Sequence, residues 1–133
     1  MSWAKDIQRM HSKFGVHDWL DNSTPGNRQD LMRLRMRMLS EEFNETLNAY
    51  LMKDEEEMID GLIDLCVIAI GTLDIAGVDA QQAWDEVWTA NVNKEVGIKP
   101  GRPNPLGLPD LVKPSGWKAP NRYLNRGIIK EFL

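Results

Sequence analysis

Trp3, Ile7, Met10 and Phe14 recur at three- and four-residue spacing, the interval that stacks side chains on one side of an α-helix. Ser2 stands where a cap belongs and Gly15 where such a helix ends. The cluster Asp21-Asn22-Ser23-Thr24-Pro25-Gly26 has the composition of a turn. A long second helix is predicted from about Asn27 to Leu51. Asp54, with Glu57 three residues on, has the form of a capping box. It opens a third helix that carries the apolar run Leu62–Leu73 and stops near Gly77. Asp79, with Gln82 after it, opens a fourth helix through Trp84, Val87, Trp88 and Asn91. No stretch alternates with the period of two that a strand needs, so no strand is expected. Six of the seven prolines lie at or beyond Pro100, and the chain from Gly97 onward reads as extended and irregular. The expectation is an all-α fold in one domain over residues 1–133. A four-helix core occupies 1–96 and a proline-rich arm 97–133.

A length of 133 residues suits a single domain, and 42% hydrophobic with 27% charged residues excludes wholesale disorder. The run Leu62–Leu73 is interrupted by Asp64 and is too short to span a bilayer, so no membrane partner is expected. The start, Met1-Ser2-Trp3-Ala4-Lys5-Asp6, lacks the apolar stretch of a secretory signal. Cys66 is the one cysteine, which excludes an intramolecular disulfide and suits a cytoplasmic location. Net charge is −4, unevenly spread: +3 over residues 1–40, −12 over 41–93 and +5 over 94–133. A pI near 5.2 lacks the basic footprint of a nucleic-acid-binding protein. The basic final segment suits an anionic ligand or docking on the acidic core.

The acidic middle is patterned. Leu31, Leu34 and Met38 form one stripe on the second helix, Glu42 and Glu45 continue it, and Glu41 borders it. Like charges three or four residues apart destabilise a helix by roughly a few tenths of a kcal/mol per pair. A shared cation removes that repulsion; a solvated acidic face is the plainer reading of the same residues. On the third helix Glu57, Asp60 and Asp64 share a face. The capping box alone would explain Glu57. Asp64 is a lone carboxylate in an apolar run and must be paired, protonated or bound to metal, because an isolated buried charge is very costly. No arginine occurs between residues 41 and 93 to pair it. Gly61 and Gly71 would let a partner helix or ligand approach closely. Facing antiparallel helices would join the two acidic sets, and oxygen ligands without His or Cys select Mg²⁺, or Mn²⁺ in its place. Carboxylate-held Mg²⁺ typically serves phosphate chemistry. His11 reads as a helix-packing residue. Trp84 and Trp88 read as core or subunit interface rather than a base-stacking platform. The second helix has a further apolar side in Met32, Met36, Leu39, Phe43 and Tyr50, so a homo-oligomer is expected.

Glu41-Glu42-Phe43-Asn44-Glu45 resembles the EExxE signature of the all-α nucleoside triphosphate pyrophosphohydrolases, the MazG and phosphoribosyl-ATP pyrophosphatase-like group. A second motif of the ExxD kind belongs on the next helix. Glu57-Met58-Ile59-Asp60 fits its wording and Asp64 its usual position, so the choice among Glu57, Asp60 and Asp64 stays open. His11-Ser12-Lys13-Phe14-Gly15, Gly71, Gly77-Val78-Asp79, Asn91-Val92-Asn93-Lys94 and Gly116-Trp117-Lys118-Ala119-Pro120-Asn121 resemble further landmarks of phage and bacterial members, in order. The resemblance implies a MazG-like bundle that cleaves a nucleoside triphosphate, ribo- or deoxyribo-, into monophosphate and pyrophosphate. It implies Mg²⁺ on Glu42, Glu45, Asp60 and Asp64, with Glu57 as a further candidate. Glu41 would be a ligand or the group that activates water. Asn91, Lys94, Lys118 and Arg122 would contact substrate, although Lys94 also suits a helix C-terminus. A homodimer or homotetramer is implied. Phosphoribosyl-ATP hydrolysis and a non-catalytic metal-binding helical assembly are the alternatives. In the arm, Leu106, Leu108, Leu111, Trp117, Tyr123, Leu124, Ile128 and Ile129 are many apolar groups for a free tail. The arm is therefore expected to pack on the helical core, its own or a partner's, beside the acidic site and to bring Lys118 and Arg122 to the triphosphate.

Overall fold

A computed structural model describes residues 2–133. They form five α-helices, one two-stranded ribbon and a final 3₁₀ turn, a mostly helical architecture as expected. Helix α1 (Trp3–Lys13) starts where Ser2 Oγ accepts a hydrogen bond from the Lys5 backbone N–H. Gly15, at φ +76°, turns the chain directly into a short helix α2 (Val16–Asp21). Helix α2 was not expected, because six residues are too few to display a helical repeat. Helix α3 (Pro25–Met52) is capped by Thr24 and has Pro25 in its first turn, so it begins slightly earlier than the periodicity indicated. Lys53, in the left-handed conformation, ends it. Helix α4 (Glu55–Ile75) begins with Asp54 accepting from the Glu57 N–H at 3.2 Å. The Asp54 N–H is already bonded to Ala49 O at 2.9 Å, so the capping box is only half made. The Glu57 side chain is thereby left out of the cap. Helix α5 (Ala80–Val92) completes the four long helices read from the sequence.

The chain packs as two compact units: residues up to Ala80 together with Arg126–Leu133, and Gln81–Asn125. In the first unit α3 and α4 form an antiparallel hairpin. Met32 meets Ile75 in the core, Arg35 lies beside Gly71, and Thr46 lies against Gly61. A Cβ at Gly61 would overlap Thr46 Oγ1, so glycine sets how closely the helices approach. The Thr46 and Thr72 hydroxyls satisfy themselves on the carbonyls of Glu42 and Ile68, each at 2.7 Å. Phe132, only 2% exposed, fills the core with Met32 and Ile75, and Val16, Leu20 and Leu31 pack around them. Its 3₁₀ turn (Ile129–Phe132) is tied down by the Ile128 N–H, which donates to Ala76 O at 2.8 Å. Gly127 takes a positive φ there, and a Cβ on it would overlap the carbonyl of Ala76.

In the second unit, strands β1 (Glu95–Gly97) and β2 (Asp110–Val112) pair antiparallel with Val96 opposite Leu111. This corrects the expectation of no strand; three-residue strands are too short to show alternation. The Trp117 indole N–H donates to Ala90 O at 2.7 Å, the Asn121 N–H to Glu86, and the Asn125 amide to Gln82. These bonds fasten the arm along α5. The expected apolar anchoring is corrected in its residues. Leu124 is 93% exposed, and Leu106, Leu108 and Tyr123 are exposed too. Polar bonds and one half-buried indole hold this part of the arm. Phe132, which the sequence reading passed over, is the deep anchor of the C-terminus. Trp84 and Trp88 lie at the surface, outside the core of this chain. Among the described residues no single helix is long and apolar enough to cross a membrane.

Candidate active site

The α3–α4 hairpin joins the acidic sets of its two helices. Glu42 is half-buried on α3, and its Oε2 is out of solvent with no hydrogen-bond partner. Lost hydration holds its carboxyl above the ordinary range. The negative charges of Glu45, Asp64 and Glu41, and a hydrogen bond with Glu45, act in the same direction. Two carboxylates of α3 and one of α4 therefore act on Glu42. None of Glu41, Glu42, Glu45, Glu57, Asp60 and Asp64 forms an ion pair among the described residues.

Asp64 is exposed, which corrects the expectation of a carboxylate buried in an apolar helix. It lies on the stripe of α4 that packs on α3, with Gly61, Ile68 and Ile75. At its level α3 presents carboxylates instead of apolar groups, so the crevice there is open. Asp60 lies one turn before Asp64. Glu57 lies about 10 Å before it along the axis, at roughly 1.5 Å per residue. The hairpin register puts Asp64 level with Glu42, and Glu57 level with Tyr50. A half-buried carboxylate oxygen without a donor, surrounded by carboxylates without cations, is a donor set that fits a hard divalent cation.

The other candidates belong to the second unit. Asn91 is exposed near the end of α5, where its carbonyl accepts from the Lys94 N–H. The ammonium groups of Lys94 and Lys113 lie 5.5 and 4.9 Å from the Trp117 ring centre, within cation–π range. Lys118 lines a cavity of about 460 Å³ together with Glu86, Thr89, Asn93, Ser115 and Trp117. Arg122 is half-buried, with its Nη1 out of solvent and without an acceptor.

A cluster that sequence reasoning missed lies in the first unit. Asp74 Oδ2 receives hydrogen bonds from His11 Nδ1 at 2.6 Å and His17 Nε2 at 2.8 Å. An ionised carboxylate only accepts, so both imidazoles donate. The Ser12 hydroxyl meets His17 Nδ1 at 3.0 Å. Burial pulls the Arg35 guanidinium below its ordinary value, and the charge of Asp74 partly restores it. His11 does serve helix packing, as read from the sequence, but as one arm of a buried polar network. Its only sequence signal was a pair of histidines flanking the Gly15 break.

The family model for phosphoribosyl-ATP pyrophosphohydrolase matches residues 19–91. The chain belongs to this family. It is a branch of the MazG-like nucleoside triphosphate pyrophosphohydrolases. No curated protein and no solved structure matches the chain. Membership makes the protein a pyrophosphohydrolase of a nucleotide substrate, in a family that is metal-dependent in general. The matched segment contains α3, α4, every acidic candidate and Asn91. Lys94, Lys118 and Arg122 lie beyond it.

Proposed function

We propose that this pyrophosphohydrolase cleaves a nucleoside triphosphate between the α- and β-phosphates, releasing nucleoside monophosphate and pyrophosphate with Mg²⁺ as the metal. The observation that carries the reading is the donor-less Glu42 oxygen within the quartet of Glu41, Glu42, Glu45 and Asp64. Glu42, Glu45, Asp60 and Asp64 would hold the cation, and Mn²⁺ would substitute. Mg²⁺ bound there supplies charge neutralisation for the phosphates and a more acidic water. Glu57, two turns from Asp64, is left to the first turn of α4, where a carboxylate complements the helix N-terminus. Glu41, the exposed member of α3 next to Glu42, accepts the proton of the attacking water at its carboxylate. Lys94, Lys118 and Arg122 would donate to phosphate oxygens, and the Arg122 Nη1, which lacks an acceptor, supports an anion in that role. Asn91 hydrogen-bonds sugar or base. A homodimer or homotetramer would cover the apolar side chains that α3 leaves exposed, among them Leu34, Met36 and Phe43.

The name of the matching family model favours one second reading, phosphoribosyl-ATP as substrate. The two are separated by pyrophosphate release from a panel of ribo- and deoxyribonucleoside triphosphates and phosphoribosyl-ATP, each with Mg²⁺. Turnover of one or more triphosphates is expected. Turnover of phosphoribosyl-ATP alone would replace the first reading with the second. Metal binding without turnover of any substrate would leave only a metal-binding helical assembly.

A further inference from the structure

We propose that His11, His17 and Asp74 form a second metal site, for a transition ion of the Zn²⁺ class, distinct from the acidic quartet. The three ligand atoms lie within 4.8 Å of one another and come from α1, α2 and α4. Two imidazoles with one carboxylate are a ligand set for Zn²⁺ and its neighbours, whereas Mg²⁺ prefers oxygen alone. The site is enclosed on two sides and open on the third. His11 is 4% exposed and the Asp74 side chain 9%, but the His17 side chain is 37% exposed and leaves an entry.

The Asp74 carboxylate needs only a small adjustment. Bonds of about 2.0–2.2 Å around a tetrahedral ion put ligand atoms roughly 3.3 Å apart. The Asp74 oxygen, now 2.6 and 2.8 Å from the two nitrogens, would withdraw by about half an ångström, within the reach of a side-chain torsion. The protons have destinations. Each neutral ring presents its now-protonated nitrogen to Asp74; on binding the ion, each carries that proton on its other nitrogen. For His17 this is Nδ1, which then donates to Ser12 Oγ, the outer contact that orients a metal-bound histidine. For His11 it is Nε2, which faces the space left by Gly71; a Cβ there would lie 3.3 Å from it.

Arg35 is the opposing charge. Its Nη1 lies 3.0 Å from the same Cβ position, and its guanidinium feels the charge of Asp74 without forming an ion pair with it. A cation on Asp74 would be repelled by the nearby guanidinium, which gives the proposal an expectation that a purely structural network does not share. Removing Arg35 should tighten zinc binding. Bound zinc would staple the α1–α2 elbow to α4 and raise the melting temperature by mass action.

The test is calorimetric titration of metal-stripped full-length protein with Zn²⁺, alongside thermal melts. One equivalent bound with a raised melting temperature is expected. Asp74→Asn and the part-exposed His17→Gln should each weaken binding at least about tenfold. Arg35→Gln should tighten it severalfold, and Glu42→Gln should leave it unchanged, which separates this site from the quartet. Because zinc binding is read directly, failure here is independent of whether the protein hydrolyses nucleotides. Absence of saturable binding, or binding unaffected by Asp74→Asn and His17→Gln, would overturn the proposal. Zinc binding lost only in Glu42→Gln would reassign the ion to the quartet and overturn it equally.

Discussion

Phe132, the penultimate residue, is expected to hold the first unit together, and Phe132→Ala measures how much. It is 2% exposed and shares the core with Met32 and Ile75, the pair at which α3 and α4 meet. Deleting a buried phenylalanine side chain costs about 3–5 kcal/mol, through lost transfer energy and the cavity left behind. A terminal segment has an alternative to leaving a cavity, since residues 126–133 can detach as a whole. Detachment forfeits the Ile128–Ala76 hydrogen bond, about 0.5–1.5 kcal/mol, and the Arg28–Glu131 pair at 3.5 Å, at most about 1 kcal/mol. It also exposes the faces of Met32 and Ile75. Neither route escapes the loss of the aromatic contact. At about 3–4 °C per kcal/mol for a chain of 133 residues, the melting temperature should fall by roughly 10 °C or more. Phe132→Leu preserves most of the apolar contact and should lose under about 1.5 kcal/mol. Melts by circular dichroism at matched protein concentration are the assay. Met32 lies ten residues before Glu42, about 15 Å along α3. Hydrolysis per folded molecule should therefore be unchanged at a temperature where both proteins are folded. A fall of less than about 4 °C in Phe132→Ala would refute the assignment of Phe132 as the anchor.

Asp64→Ala should nearly abolish pyrophosphate release while the circular dichroism spectrum stays that of a folded helical protein, because Asp64 is exposed and forms no ion pair. Normal turnover at saturating Mg²⁺ would remove Asp64 from the ligand set. The raised carboxyl of Glu42 makes stability depend on pH. Its protonated form is favoured by folding, so its stabilising contribution is complete below the ordinary glutamate value and is lost as pH rises through the higher folded-state value. Urea midpoints of the metal-free protein should show that loss, and Mg²⁺ or Glu42→Gln should flatten it; equal slopes in all three samples would contradict the quartet. Light scattering at micromolar concentration should give at least a dimer, with Leu34, Met36, Phe43 and Tyr50 as exposed apolar groups to be covered. A monomer would defeat this expectation.

What could be read from the sequence was whatever repeats within one element. The four long helices announced themselves by spacing and caps, whereas α2 and the β1–β2 ribbon are shorter than the repeats that would betray them. The change from Leu31, Leu34 and Met38 to Glu42 and Glu45 along one stripe was visible for the same reason. The exposure of Asp64 was not, because burial depends on what the opposite helix presents at that level. His17, Arg35 and Asp74 were invisible as a group because each lies on a different helix, and only the Gly71 gap and the Gly15 turn bring them to His11. Phe132 was hidden by its neighbours, since a proline-rich arm gives no period to read, and its burial follows from the Gly77–Gly127 approach.

This division bears on where substrate choice resides. The acidic quartet lies wholly inside residues 19–91, the segment shared with the pyrophosphohydrolase family, and carboxylates on a metal act on phosphates whatever the base. Lys94, Lys113, Trp117, Lys118 and Arg122 lie outside that segment, and the cavity beside Trp117 is walled by residues 114–119 on one side and α5 on the other. On the function proposed above, charge neutralisation at the quartet would set whether a phosphoanhydride is cleaved, and Lys118 and Arg122 would bias which nucleotide is cleaved. Lys118→Ala and Arg122→Ala should therefore raise KM more than they lower kcat. They should also change the ranking of nucleotides in the panel, a change that no substitution confined to the quartet should produce.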